Sequence, residues 1–457
     1  MSRQRLTSTL LAATLVGLSG CAMPASLDMP RVVPGTGLVS NNAEGLISNN
    51  AGGLDFEGGG EGRGSGKSAT GGLTAGRPAA PAMAPAVGTA VVAEGASAAD
   101  APIPSHGGNL VADQQQQEAL KAGSVDDNAK FSDYLAYLKA YTGEAMRPLD
   151  ISERHVIRVV DSTGKAVANA DVTIALGTQV VFKGKSYANG ELLFHPKAFD
   201  GAAQAEGYTV TATRGELTQS GTYARDQEGA WKLQLASPVA KGPVKLDVLF
   251  LIDATGSMGG EIQRLQDTIK TVSSRIQGLD TQPSVRYGLV AYRDQNEEYV
   301  TASADFTSSV ADFKASLDKV EASGGGDKPE DVESGLAKAV NGASWGQDSV
   351  KLVFLVADAA PHIDYPQATP YTTSVKKAAE KGIKLFPIGC SSLEPAGEFA
   401  FRQLAQFTMG QYLFITRGGD ERSGGGGAAS ATVDKFQEGR LDDIVVDLVK
   451  AELDHLK

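Results

Sequence analysis

Lys245-Leu-Asp-Val-Leu-Phe-Leu-Ile-Asp253-Ala-Thr255-Gly-Ser257-Met-Gly-Gly260 is the stretch on which the fold turns. Residues 248–252 form an unbroken apolar run of strand-favouring side chains, too short for a helix. Such a run reads as a strand covered on both faces, as central strands of a parallel sheet are. It stops at Asp253, and a glycine-containing turn leads into a segment where Ile262, Leu265 and Ile269 recur at helical spacing. Asp253, Thr255 and Ser257 therefore stand on a loop at the carboxyl end of a buried strand. In open α/β sheets that is where ligands bind.

The chain downstream repeats the alternation. Residues 284–292 read as a strand leading to Arg293-Asp294, residues 350–357 and 384–389 as buried strands, and residues 412–415 as a short last one. Between them, Val310, Phe313, Leu317 and Val320 mark one face of a helix over residues 308–320. Pro329 fits the first turn of a helix running to Val340, since proline lacks only a donor that is spare there. A glycine-rich loop, residues 418–427, precedes a final helix over residues 441–456. Strands alternating with helices predict an α/β domain over residues 244–457, a doubly wound parallel sheet.

The Asp-x-Thr-x-Ser loop is followed in order by Val290-Ala-Tyr-Arg293-Asp294, Ser323-Gly-Gly-Gly-Asp327-Lys-Pro-Glu330-Asp331, and Leu352-Val-Phe-Leu-Val-Ala-Asp358-Ala-Ala-Pro361-His362. Together these resemble the metal-ion-dependent adhesion site of the von Willebrand factor A family, whose sheet is Rossmann-like. The resemblance implies that Thr255 and Ser257 bind the metal directly, that Asp253 acts through water and hydrogen bonds, and that Asp358 is the third-loop aspartate. One direction would stay open for a carboxylate oxygen from a partner. Hydroxyls and carboxylates suit a hard cation, Mg²⁺ first, with Mn²⁺ or Ca²⁺ as alternatives. The second loop departs from the commonest family pattern, offering Asp327 where a threonine hydroxyl is usual. Either Asp327 ligates or water fills the place, and a carboxylate there strengthens cation binding while disfavouring an acidic ligand. Asp294 and Glu330 stand either just behind the ligands or in solvent, and both readings stay open.

Upstream, residues 153–235 alternate as short strands, punctuated by turn groups such as Asp161-Ser-Thr-Gly164 and Asn189-Gly190. They predict a β-sandwich over residues 150–238, similar to carboxypeptidase-regulatory-like and Ig-like modules. Residues 126–148 hold an amphipathic helix with Phe131, Tyr134, Leu135, Leu138 and Tyr141 on one stripe, expected to cover the next domain. Between residues 22 and 130 the only aromatic is Phe56, and Gly, Ala, Pro and Ser dominate. Residues 21–125 are therefore expected to be a disordered tether. Within it Gly64-Ser-Gly66-Lys67-Ser68 mimics a phosphate loop, but Glu61 occupies the position of the first glycine, so no nucleotide site is expected. Arg3 and Arg5 precede the apolar residues 6–18, which end in Leu18-Ser19-Gly20-Cys21. Residues 1–20 resemble a bacterial lipoprotein signal, which implies acylation of Cys21 and a lipid anchor in the cell envelope. Ala22, where aspartate would direct otherwise, is compatible with the outer membrane.

A net charge of −12 argues against a nucleic-acid surface. Two cysteines cannot build a disulfide framework, and Cys390 reads as a buried thiol. No HExxH occurs, and a serine-hydrolase elbow fails because Thr255 stands where glycine is needed. The expectation is a non-enzymatic lipoprotein that binds a protein or glycan partner through its metal. The alternatives are a metal-dependent phosphohydrolase using Asp253, and a structural scaffold that holds metal weakly.

Overall fold

The computed structural model describes residues 54–55, 119–326, 328–366, 368–390, 393–417, 436 and 438–457. Cys21, the signal sequence, most of the expected tether, Asp327 and the glycine-rich loop 418–427 lie outside the described residues. In chain order the strands and helices are β1 (Leu54–Asp55), β2 (Lys121–Val125), α1 (Phe131–Ala140), β3 (His155–Val160), β4 (Asp171–Leu176), β5 (Gln179–Lys185), β6 (Glu191–Phe194), β7 (Gly207–Arg214), β8 (Leu217–Ala224) and β9 (Trp231–Gln234). There follow β10 (Lys245–Asp253), α2 (Ile262–Gln277), β11 (Ser284–Tyr292), β12 (Thr301–Thr307), α3 (Val310–Leu317), α4 (Val332–Ala337), β13 (Val350–Ala357), α5 (Tyr371–Lys381), β14 (Ile383–Gly389), α6 (Pro395–Phe407), β15 (Tyr412–Arg417), β16 (Glu438–Arg440) and α7 (Leu441–Asp454).

The large sheet has the order β1-β12-β11-β10-β13-β14-β15-β2-β16. Its centre, β11-β10-β13-β14-β15, is parallel, whereas β12, β2 and β16 join antiparallel to their neighbours β11, β15 and β2. Side chains alternate across a strand, so the apolar run of β10 feeds two cores. Leu246, Val248, Phe250 and Ile252 enter the core shared with α2, α3 and α7. Leu249 and Leu251 enter the opposite core with α1, α4, α5 and α6. β13 divides likewise, Phe354 stacking between Phe250 and Phe386 at 5.6 and 5.2 Å on the first side. Burying each such side chain contributes roughly 1.5–3 kcal/mol. The doubly wound α/β expectation holds, with a mostly parallel sheet.

Several boundaries need correction. Residues 121–125, assigned above to a tether, form β2 in the large sheet, pairing Tyr412 with Val125 and Leu413 with Ser124. The amphipathic helix spans only Phe131–Ala140, and its stripe packs on α6 of the α/β unit rather than on the sandwich that follows it in sequence. Pro329 precedes a helix but is not in it. The Asp331 carboxylate accepts from Ser334 N at 2.9 Å, and that cap starts α4 at Val332.

The module between Leu149 and Val244 packs the three-stranded sheet β6-β3-β9 on the four-stranded sheet β5-β4-β7-β8. Trp231, Phe194, Tyr208 and Ile157 fill the space between them. β8 was not foreseen because its residues are largely polar and exposed, and β5 was not because its Val180-Val181-Phe182 run is short and does not alternate. The module rests on the α/β unit: Lys376 Nζ donates to Ala198 O at 2.6 Å, and the His195 ring lies 5.0 Å from that of Phe407. Among the described residues no helix is long and apolar enough to cross a membrane.

Candidate metal centre

β10 and β11 end in register, Asp253 opposite Tyr292, and Asp358 directly follows β13 on the other side of β10. Three loops thus leave the same edge of the sheet. In the first loop the chain folds back on Asp253: Oδ1 accepts from Thr255 N at 3.0 Å and from Thr255 Oγ1 at 2.7 Å. This is the local side-chain turn that aspartate favours. Asp253 Oδ2 accepts from the Tyr292 hydroxyl at 3.1 Å. Thr255 Oγ1 lies 3.2 Å from Ser257 Oγ, and Ser257 Oγ donates to Asp358 Oδ1 at 2.9 Å. Asp253 with Thr255 and Asp358 with Ser257 therefore form two hydrogen-bonded pairs at two strand ends, their hydroxyl oxygens 3.2 Å apart.

The second loop is sewn to the first. Gly256 N donates to Gly324 O at 2.9 Å and Ser323 N to Ala254 O at 3.0 Å. Gly325 has φ +67°, and a Cβ there would stand 3.0 Å from Glu330 Oε1 and 3.2 Å from the Thr255 Cβ, so any side chain would be strained and crowded at this turn. Glu330 is buried beneath this turn, its backbone paired with Ala360 and His362 of the third loop at 3.0 and 2.8 Å. Of the two residues left open above, Glu330 lies beside Thr255. Asp294 is also buried, accepting from the Tyr365 hydroxyl at 2.8 and 2.9 Å. His362 stacks on Tyr365 at 4.1 Å, its Nδ1 2.8 Å from Asp364 Oδ1, and so shapes the third loop.

Burial, and after it the neighbouring Asp358 charge, push the Asp253 carboxyl up to about 7, against the donors Thr255 and Tyr292 that favour its ionised form. Burial, then Asp253 and Asp294, push Glu330 up to about 8. Glu330 Oε2 is buried and has no hydrogen-bond partner among the described residues. Lys328 Nζ reaches in from the second loop, donating to Asp358 O at 2.9 Å and to its Oδ2 at 3.4 Å. Carboxylates crowded this way resist ionisation, and a cation among them reverses the effect. The donor set is oxygen throughout, two hydroxyls and two carboxylates, which suits a hard divalent ion. Among the described residues no group of three or more His, Cys, Asp and Glu side chains gathers to hold a metal. Asp327 belongs to the second loop but lies outside the described residues. Cys390 is fully buried, and burial raises its thiol well above the ordinary range.

Tyr292, Lys328 and Glu297, whose Oε1 accepts from Gly325 N at 2.9 Å, were missed in the sequence. Tyr292 ends β11 and meets Asp253 only through the pairing of β11 with β10, which the sequence does not declare. The other two sit on loops without periodic pattern.

Residues 247–417 match the family model of the von Willebrand factor A domain, so the α/β part of the chain carries that domain. The inter-alpha-trypsin inhibitor heavy chain H2 of Sus scrofa is 28% identical over 233 residues, 47% of this chain and 23% of that protein. The alpha-protein kinase vwkA of Dictyostelium discoideum is 28% identical over 118 residues, 26% of this chain and 19% of that protein. The chain thus spans about a quarter or less of these curated relatives. Among solved structures, the conserved hypothetical protein BatB from Bacteroides thetaiotaomicron aligns at 12% identity and TM-score 0.33, covering 46% of this chain and 99% of that one. Proximal thread matrix protein 1 from the mussel byssus, with a zinc-occupied MIDAS motif, aligns at 18% identity and TM-score 0.33, covering 47% and 46%.

Proposed function

We propose that this chain is a lipid-anchored envelope protein whose von Willebrand factor A domain holds a divalent cation, Mg²⁺ first, and through it binds a protein or glycan partner. The observation that carries the reading is the convergence of two hydroxyl–carboxylate pairs, Thr255 with Asp253 and Ser257 with Asp358, at the carboxyl ends of β10 and β13. Thr255, Ser257 and Asp358 would hold the ion, with Asp327 completing the second loop. A bound cation supplies a Lewis-acidic position for an oxygen of the partner. The chain's own residues do the positioning. Asp253 and Tyr292 fix the Thr255 hydroxyl, and the backbone ties between Gly256 and Gly324 set how closely the first two loops approach.

Burial separates this reading from the phosphohydrolase. Asp253 is 0% exposed, and three hydrogen bonds hold its carboxylate in place, so it has no open approach for a substrate. A nucleophilic carboxylate needs that access. Acylation of Cys21 would anchor the chain, the tether and β-sandwich setting the domain's distance from the membrane. Two experiments test the reading together. Partner capture from envelope extract is expected with Mg²⁺ and lost with a chelator. Cys21→Ser is expected to move the protein from the membrane to the soluble fraction. Capture that ignores the chelator refutes the metal-dependent partner, and a variant that stays wholly with membranes refutes the anchor.

A further inference from the structure

At the opposite end of β13 from Asp358, the α/β domain and the β-sandwich enclose a cleft of about 740 Å³. β4, β5 and β7 form one wall, and residues 343–348, β13 and α5 form the other. Lys183, Lys185, Arg214, Lys351, Lys377 and Lys381 line it, against three acidic side chains. Each of the three acids is already taken: Asp348 by Arg214 at 2.6 Å, Asp171 by Lys185 at 2.5 Å and Glu380 by Lys377 at 2.8 Å. The remaining lysines are not matched by carboxylates. Lys381 Nζ donates to Val340 O at 2.8 Å, and Lys183 is exposed with no ion pair among the described residues.

Lys351 is the most constrained of them. It is 3% exposed, and neutral oxygens hold its ammonium: Ser349 O at 3.1 Å, Asn169 Oδ1 at 3.3 Å and Gln347 O at 3.4 Å. The nearby Asp247 carboxylate is committed elsewhere, to Arg286 by two bonds of 2.8 Å, to Ser349 Oγ at 2.6 Å and to Gly346 N at 2.8 Å. Burial first, and then the charge of Lys185, push Lys351 down to about 8. In a chain of net charge −12, a concave site with uncompensated positive charge is an anion site in search of its anion. The volume suits a small molecule.

We infer that this cleft binds a small polyanion, phosphate- or carboxylate-bearing, held by Lys183 and Lys381 between the two domains, with the buried Lys351 adding its charge. Lys351 is seven residues from Asp358 along β13, about 23 Å at roughly 3.3 Å per residue, so the site is independent of the cation centre. A ligand touching both walls also ties the β-sandwich to the α/β domain, so binding raises the melting temperature.

The test uses the full chain stripped of metal on a chelating resin, at about 50 mM ionic strength where screening is weak. Pyrophosphate and citrate are titrated separately by calorimetry and by thermal shift. Saturable binding of at least one is expected, and which one binds assigns the ligand to phosphates, carboxylates or both. Lys183→Glu, an exposed change that leaves the fold intact by circular dichroism, is expected to weaken binding about tenfold or more, as charge reversal at a contact does. Lys351→Met, which removes a buried charge, is expected to weaken it as well. No saturation by either anion overturns the inference, and so does binding of equal strength in Lys183→Glu. Metal-dependent partner capture is unaffected by either result, so this inference and the proposed function stand or fall separately.

Discussion

Thr255 has two tasks that a single substitution separates from fold. Its hydroxyl donates to the buried Asp253 Oδ1 and abuts Ser257 Oγ, so it both satisfies a carboxylate and stands among the oxygens proposed to hold the metal. Thr255→Val keeps the shape and removes the oxygen. The variant is expected to lose about 1–3 kcal/mol in urea denaturation, the cost of leaving a buried acceptor short of a donor. It is also expected to lose the response to Mg²⁺. Unchanged stability would mean that the hydrogen bond at Asp253 carries no weight. Thr255 was legible because Asp253, Thr255 and Ser257 are near neighbours after a diagnostic strand, and Asp358 because it ends a second one. Tyr292 was not, since its hydroxyl meets Asp253 only through the pairing of two strands whose partnership no local pattern declares.

β2 and α1 show how an element can hide. The sequence Lys121-Ala-Gly-Ser-Val125 has almost none of the β-branched or aromatic content that marks strands, and its conformation comes from pairing with β15 and β16. What fastens the segment is the buried ion pair of Asp127 with Arg402 of α6, two bonds of 2.9 and 2.7 Å, the Arg402 guanidinium lying 3.7 Å from the centre of the Tyr137 ring. Asp127→Ala leaves Arg402 buried with only part of its compensation. It is expected to cost about 3–5 kcal/mol and to expose the segment before residue 126 to protease. Survival of that segment at wild-type stability would show that strand pairing alone suffices.

The β-sandwich meets α6 through His195, which is 0% exposed, with Nδ1 3.1 Å from Glu153 O. Burial pushes it down to about 3, the hydrogen bond to Glu153 opposing. The unfolded chain takes up this proton below its ordinary value of about 6.5, while the folded chain refuses it until about 3. Stability therefore falls as pH drops through that window, by at most about 1.4 kcal/mol per unit from this group. His195→Asn is expected to flatten the urea midpoint between pH 6.5 and 4.5 relative to the parent. Parallel curves would assign the acid sensitivity to other groups.

Over the whole molecule, the order of strands and helices after Lys245 was readable because both faces of β10 and β13 are covered, and that demands apolar runs. The von Willebrand resemblance followed from loops in a fixed order along those strands. What could not be read is that the α/β unit is interrupted: β2 and α1 belong to it although the β-sandwich lies between them and β10. That closure is long-range, and a fragment beginning at residue 244 would leave Tyr134's place on the core empty. The proposed cation centre depends on the same closure of the sheet, since its residues converge only when β10 and β13 pair. A cation that binds only this folded arrangement stabilises it by mass action, by about 2.7 kcal/mol at a hundredfold excess over its dissociation constant. The direct test is calorimetric titration of millimolar Mg²⁺, with Mn²⁺ and Ca²⁺ in parallel, into residues 119–457 and into the same fragment carrying Asp253→Ala. The account predicts saturable heat and a raised melting temperature in the parent, and neither in the folded variant. No response to any of the three ions, or an equal response in Asp253→Ala, would contradict it.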